Sequence, residues 1–179
     1  MGTLRVLLGT MALGVLAWQA AVVAGEFALR RRRYREALAA ARRRGKPLLV
    51  VGRPGGWPRV YGGGDATVDL DPRVARDCPG TAVVADVRQL PFPDGRFGAA
   101  FCSHVLDCLP TPQDVACAWA ELRRVAEEVF LCTTHPQNLF WRWVAPEIRV
   151  WVSPRQGEVS ARPRPRPWRA LRRRATPVA

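Results

Sequence analysis

The sequence has few of the residues from which metal centres and disulfide frameworks are built. It holds two histidines and five cysteines, and no two cysteines have Cys-x-x-Cys spacing. This composition excludes the common zinc-site patterns, so no metal site is predicted. An odd number of cysteines fits buried thiols in a reducing compartment better than a set of disulfides.

Several catalytic signatures are also missing. The chain has no Gly-x-x-x-x-Gly-Lys phosphate loop, no Gly-x-Ser-x-Gly elbow and no internal repeat. These absences argue against P-loop nucleotide hydrolases, serine hydrolases of the α/β type and repeat proteins.

Lysine is nearly absent, since Lys46 is the only one, and the net charge of +13 comes from arginine. Residues 1–45 carry nine Arg against two Glu, and residues 153–179 carry eight Arg against one Glu. Residues 46–152 carry eleven basic and twelve acidic side chains. A nearly neutral middle between basic flanks predicts a domain over 46–152 and does not indicate nucleic acid as its partner.

A long, uncharged and mostly apolar segment extends from Val6 to Ala24. Its nineteen residues would span about 28 Å as a helix, close to the thickness of a bilayer core. Residues 1–25 are therefore predicted to be a transmembrane anchor in contact with the lipid bilayer. A cleavable signal peptide ending at Ala24 and a buried helix of a soluble protein are the alternatives.

Arginines follow this run at Arg30–Arg33, Arg35 and Arg42–Arg44. Because positive flanks stay on the cytoplasmic side, the pattern predicts a single-pass membrane protein with its domain facing the cytoplasm. Residues 26–45 are predicted to form a basic juxtamembrane helix. Its arginines either meet anionic headgroups or are simply solvated.

The middle of the chain follows the order of an open α/β sheet. A short apolar run, Ala82–Ala85, ends on Asp86 and is followed by the turn Pro93-Asp94-Gly95. A second apolar run from Phe97 to Phe101 precedes a helix that is expected to start at Thr111 with a capping box.

Two motifs carry a resemblance. They are LPFPDGRF over residues 90–97 and ELRRV over residues 121–125. Together with Asp86, they resemble the class I S-adenosylmethionine-dependent methyltransferases, of the type 11 or ubiquinone/menaquinone kind. The resemblance covers Leu48 to about His135. It implies a trimmed Rossmann-like parallel sheet with flanking helices and S-adenosylmethionine as cofactor.

The family's glycine-rich loop corresponds to residues 52–56. Gly52 and Gly56 match its first and third glycines, which let the backbone approach the cofactor. Pro54 replaces the middle glycine, and Val50 stands where the family usually has an acid. The segment from Gly56 to Asp69 is also too short for the family's full crossover helix.

Two strand ends carry the remaining cofactor residues that the resemblance implies. Asp69 would accept hydrogen bonds from the ribose, with Asp71 as a reserve candidate or, alternatively, a helix cap. Asp86 and the backbone of Val87 would bind the adenine. Leu90 and Phe92 would pack beneath it, although a core role for both explains them equally well.

His104 follows the fourth predicted strand, over the expected site of methyl transfer. It is a candidate general base for an acceptor hydroxyl, although a lone histidine in a loop more often has a structural role. Gly98 is another departure, since the family commonly has Asp there.

The end of the domain is less well marked. Residues 133–144 are rich in aromatic side chains and suit packing over the sheet, a lid, a substrate wall or a membrane contact. Ile148 to Val152 is a possible edge strand. From Ser153, the alternation of Arg and Pro predicts a disordered basic tail over 153–179, which would contact lipid or RNA.

Two functions follow from these features. The first is a membrane-anchored methyltransferase that uses S-adenosylmethionine on a small or lipid-like acceptor. The second is a non-catalytic pseudo-methyltransferase that serves as a membrane-tethered binding or interaction module. The retained acids favour the first, and Pro54, Val50, Gly98 and the short crossover favour the second.

Overall fold

Five apolar segments of four or five residues build the central sheet of the computed structural model. The structure describes residues 2–52, 62–73, 78, 80–135, 137–139, 148–155 and 158–164. The strands are β1 (Leu48–Val51), β2 (Ala66–Asp69), β3 (Thr81–Val84), β4 (Ala99–Ser103) and β5 (Val129–Cys132). All pairings are parallel, in the order β3-β2-β1-β4-β5.

Among the described residues, two α-helices flank this sheet, and a hairpin follows it. The helices are α1 (Gly2–Arg43) and α2 (Pro112–Val125), with a short 3-10 helix at Leu106–Cys108. The hairpin strands are β6 (Val150–Arg155) and β7 (Glu158–Pro163). The predicted α/β class with a Rossmann-like parallel sheet and flanking helices is confirmed.

The strands are apolar on both faces because both faces are covered. In β1, Leu48 and Val50 pack in the cluster under α1, whereas Leu49 and Val51 pack in the cluster under α2. This explains why the strand reads as a continuous apolar run rather than an alternating one.

Helix α1 meets the sheet through small residues. Ala37, Ala40 and Ala41 are buried against β1, β4 and β5. Gly98 lies directly beneath, where a Cβ would come within 3.0 Å of the Ala41 Cα atom. The departure from the family's usual Asp at this position therefore has a steric reason.

The end of α1 is attached to the start of β5 by ion pairs. Lys46 Nζ lies 2.6 Å from Glu127, and Arg44 lies 2.7 Å from Glu127 and 2.9 Å from Glu128. Lys46, followed by Arg44, lowers the pKa of Glu127 below its usual range. The helix ends at Arg43, and Gly45 just beyond it has a φ of 60°, which suits glycine at this position.

Helix α1 runs opposite to the strands. Its Ala41 lies over the start of β4, and Tyr34 packs edge-on against Phe101 in the middle of that strand. Arg30 then donates a 3.0 Å hydrogen bond to Ser103 at the strand's end. The carboxyl edge of the sheet therefore faces the N-terminal half of α1.

That N-terminal half extends beyond the domain. Large apolar side chains from Val6 to Trp18 are exposed, Met11 by 69%. By length and composition, one helix in the described part of the chain is able to cross a membrane, and it covers residues 5–43 of α1. The predicted anchor and the predicted basic helix thus form one uninterrupted helix.

The hairpin corrects the prediction of a disordered tail from Ser153. Residues 153–155 and 158–163 lie in paired strands. Val150 and Val152 are buried in the cluster under α2, and Val159 and Ala161 pack against it. The Arg and Pro residues obscured this alternation of apolar and polar positions, which is typical of a strand with one covered face.

We expect Val152→Asp to lower the melting temperature of the full chain in detergent by roughly 10 °C or more, because it buries an unpaired charge. Ser153→Asp, one residue on and exposed, is the matched control and should stay within about 2 °C. Equal melting temperatures for both variants would show that the hairpin does not pack on the domain.

Candidate functional site

The carboxyl ends of the strands enclose a cavity of about 440 Å³, a size that suits a small-molecule ligand. In open parallel sheets, ligands bind at this edge. The cavity brings together five of the predicted site residues: Gly52, Asp69, Asp86, Val87 and His104.

Gly52 follows β1 and has a φ of 95°, a region that side chains rarely adopt. A Cβ here would lie 2.7 Å from Val105 Cγ2 and 3.4 Å from the Ser103 carbonyl. Its N–H donates to the Val68 carbonyl at 2.9 Å. The glycine therefore brings bare backbone to the cavity wall, and the fold requires it with or without a ligand.

Asp69 is the last residue of β2 and is half-buried at the cavity. Its Oδ1 accepts a hydrogen bond from the Asp71 N–H at 2.8 Å. Among the described residues, Oδ2 has no hydrogen-bond partner, which leaves it available to a ligand hydroxyl. Asp71 instead accepts from the Arg73 N–H and forms a 2.7 Å ion pair with the Arg73 guanidinium.

Asp86 lies just beyond β3, and Arg88 holds its carboxylate. The Arg88 guanidinium contacts Asp86 Oδ2 at 2.6 Å and also Asp114 Oδ1 at 2.6 Å. Arg88 is the main cause of the lowered pKa of Asp86, and it contributes after Thr111 to the lowered pKa of Asp114. Because Asp114 completes the capping box of α2 with Thr111, Arg88 links the site loop to the start of that helix.

Val87 is buried and lines the cavity beside Asp86. Leu90 is placed elsewhere: it is 4% exposed and belongs to the core cluster under α2. Phe92 packs edge-on against Phe97 at 4.9 Å between ring centroids. The structure therefore places Leu90 in the core and does not include it in the cavity lining.

The two sequence motifs are held together by one pair of α2 side chains. Glu121 accepts a 2.8 Å hydrogen bond from the Leu90 N–H, and Arg124 donates to the carbonyls of Leu90 and Phe92. Arg124 also lowers the pKa of Glu121. The polar residues of ELRRV thus fix the loop of LPFPDGRF, which in turn follows the site residues Asp86 and Val87.

His104 lines the cavity with its side chain 19% exposed. Its Nδ1 lies 3.1 Å from Thr134 Oγ1 and 3.6 Å from the carboxylate of Asp107. Its backbone has a φ of 55°, the one positive value outside glycine in the described residues. A cavity-lining imidazole with a fixed Nδ1 is able to accept a proton.

Other parts of the predicted site lie outside the cavity or outside the described residues. Gly56, Pro54 and the first part of the short crossover fall within residues 53–61, which the structure does not describe. Val50 is buried under α1. In the described part of the chain, no group of three or more His, Cys, Asp or Glu side chains is arranged to hold a metal ion.

Three residues that line or support the cavity could not be identified from sequence patterns. Arg88 pairs with an acid two positions away, which is a common surface arrangement. Arg149 lines the cavity because β6 begins beside it, and Thr134 contacts His104 because β5 ends there. No motif marks any of these three residues.

Residues 63–128 match the family model described as a methyltransferase domain. This confirms the resemblance, and the chain carries a methyltransferase-like domain consistent with the class I, type 11 kind. No match is found among curated proteins.

Solved structures resemble the chain at low identity. The PH0226 protein from Pyrococcus horikoshii is 18% identical over 68% of this chain and 66% of its own, with a TM-score of 0.43. The N-methyltransferase NodS from Bradyrhizobium japonicum, in complex with S-adenosyl-L-homocysteine, is 18% identical over 54% of this chain and 56% of its own, with a TM-score of 0.36. The chain spans roughly half to two thirds of the length of the structures it matches.

We expect Arg88→Ala to lower the melting temperature by a few degrees at neutral pH, because it removes the partner of two carboxylates. Their pKa values in the fold lie below the ordinary value of 3.8, so the stability they contribute is present above that pH. It is lost as the pH falls through the lowered values.

The difference in melting temperature between the unmutated chain and Arg88→Ala should therefore shrink as the pH falls below 3.8. Arg123→Ala, at an exposed position of α2, is the matched control and should show no such pH dependence. A difference that stays constant into acid would contradict the ion-pair assignment.

Proposed function

We propose that the protein is a membrane-anchored methyltransferase that uses S-adenosylmethionine on a small or lipid-like acceptor. The observation that carries this proposal is the convergence of Gly52, Asp69 and Asp86 on one cavity at the ligand edge of the sheet. The methyltransferase-domain match over residues 63–128 supports it.

The residues at the cavity fit the cofactor. The bare backbone at Gly52 allows close approach, and Asp69 has an oxygen without a partner among the described residues for the ribose hydroxyls. The Asp86 carboxylate and the Val87 N–H would take the adenine, and Gly56 would continue the glycine loop. When bound, the cofactor supplies a methyl group on a positively charged sulfur, which is a good leaving group.

His104 is the proposed general base. It lines the same cavity as Asp69 and Asp86, so it would receive the proton that an acceptor hydroxyl or amine loses. The remaining acceleration would come from holding the two reactants in contact. Leu90 would act indirectly, since it anchors the loop that follows Val87.

The direction of α1 supports an acceptor at the bilayer surface. The cavity lies at the edge of the sheet that faces the N-terminal half of α1. Gln19 and Glu26 of α1 accept hydrogen bonds from the N–H groups of Leu139 and His135, both at the same edge. If α1 spans the bilayer, the site opens close to the headgroups.

The arginines that follow the apolar half of α1 favour a cytoplasmic domain under the positive-inside rule. They also favour an anchor over a signal sequence, because positive charge directly after a signal sequence hinders export.

We expect a reporter enzyme that works only in the cytoplasm to be active when it is fused after Ala179. A mature N-terminus at Gly25 would contradict the anchor.

Two observations favour the alternative, a non-catalytic binding module. The Asp86 carboxylate is already engaged by Arg88 in two contacts near 3 Å and one at 2.6 Å. Gly52 is likewise required by packing alone. The ion pair would therefore require Asp86, and packing would require Gly52, even in a protein that binds no cofactor.

Affinity for the cofactor distinguishes the methyltransferase from the non-catalytic binding module. It is measured by calorimetry on the full chain in nanodiscs, with S-adenosyl-L-homocysteine as the ligand. Asp69→Ala and Asp86→Ala should each weaken binding about ten- to hundredfold. This corresponds to the roughly 1–3 kcal/mol cost of losing a partly buried acceptor. Asp71→Ala is the matched control, since Asp71 is paired with Arg73, and should stay within about twofold.

If the unmutated chain does not bind S-adenosyl-L-homocysteine at millimolar concentration, the proposed methyltransferase is contradicted and the non-catalytic binding module is favoured. Binding that all three variants retain would instead mean that the cofactor lies elsewhere.

A further inference from the structure

We infer that Asp107 is a positioning residue that holds the His104 imidazole with Nε2 toward the cavity. The inference rests on the proposed methyl transfer, because it specifies how the proposed base is oriented. Asp107 itself does not line the cavity, so it would act through His104 rather than on the acceptor.

Asp107 is a buried carboxylate with incomplete hydrogen bonding. It is 1% exposed, and its Oδ2 accepts a 2.6 Å hydrogen bond from the Thr134 N–H. Its Oδ1 is buried and has no hydrogen-bond partner in the described part of the protein. A buried carboxylate oxygen without a donor is costly, so a purely structural role explains Asp107 poorly.

The His104 imidazole lies beside this carboxylate, with Nδ1 3.6 Å from Oδ2. The same Nδ1 lies 3.1 Å from Thr134 Oγ1. Both neighbours are able to accept a hydrogen bond, and a carboxylate accepts only, so this side of the ring favours a proton on Nδ1. In a neutral imidazole, the lone pair then lies on Nε2.

Three elements hold this arrangement. The His104 N–H donates to the Cys132 carbonyl at the end of β5, and Thr134 follows two residues later. Asp107 belongs to the 3-10 helix, and its carbonyl accepts a 2.7 Å hydrogen bond from the Arg149 N–H just before β6.

The backbone of His104 is itself in an uncommon conformation, with a φ of 55°. Non-glycine residues in this region carry strain that the surrounding structure must offset, and such strain is concentrated at functional sites. In His104 this backbone conformation turns the side chain back toward Asp107 and Thr134, and the ring still lines the cavity. The proton of an acceptor hydroxyl or amine would pass to Nε2 and leave later to solvent.

The test is the tautomer of His104 in the full chain, measured by long-range proton–nitrogen NMR in nanodiscs at a pH where the ring is neutral. The chain has two histidines, so His135→Gln assigns the signals. We expect the Nδ1-protonated tautomer to dominate in the unmutated chain. Asp107→Asn should shift His104 at least severalfold toward the Nε2-protonated form.

Thr134→Val gives a second route should Asp107→Asn fail to fold, because it removes Oγ1 but keeps the backbone N–H that contacts Asp107. It should shift the tautomer in the same direction. Asp94→Asn, at a side chain 82% exposed, is the matched control and should leave it unchanged. An Nε2-protonated ring in the unmutated chain, or no shift in either variant, would overturn the inference.

This measurement needs neither cofactor nor acceptor. Loss of cofactor binding would therefore contradict the proposed function without changing the tautomer. An Nε2-protonated His104 in a chain that still binds the cofactor would contradict the role of Asp107 and leave the proposed function standing.

Discussion

The close packing of α1 on the sheet is the contact on which the rest of the structure depends. The alanine face of the helix approaches β4 so closely that a Cβ at Gly98 would come within 3.0 Å of Ala41 Cα and 3.1 Å of Lys46 Cβ. Such an approach leaves no room for the helix to slide or roll. The ion pairs of Arg44 and Lys46 with Glu127 then fix its end.

A single helix therefore closes one face of the domain and also carries the apolar segment. Because α1 is uninterrupted from Gly2 to Arg43, its direction fixes which edge of the sheet faces its apolar half. Glu26 accepts hydrogen bonds from the His135 N–H and the Asn138 side chain, both at 2.6 Å, and so attaches the helix to that edge a second time. In the proposed membrane arrangement, the candidate site is held toward the bilayer without a flexible linker.

Much of the fold could be predicted because local signals were sufficient. Apolar runs that end in acids gave the strands and the positions of Asp69 and Asp86, and the capping box at Thr111 gave the start of α2. The site's supporting contacts could not be predicted, because they join residues far apart in the chain. Asp107 and Thr134 are 27 residues apart and meet only after β5 pairs with β4.

Most of the hairpin was missed for a different physical reason, since the edge strand suggested over 148–152 covers only the start of β6. Its strands are short, rich in Arg and Pro, and apolar on one face only, so composition indicated disorder while the alternation indicated a strand. Burial of Val150 and Val152 under α2 decides between them. Leu90 shows the converse case: it belongs to a motif associated with cofactor binding, yet it packs in the core.

The central claim is that the ligand edge of the domain faces the membrane, and photo-crosslinking tests it most directly. A p-benzoylphenylalanine at position 137, exposed and beside Gln19 of α1, should capture lipid in native membranes. The same residue at position 94, near the opposite edge and 82% exposed, should capture none. Lipid capture at position 94 and not at 137, or at neither position, would contradict the account.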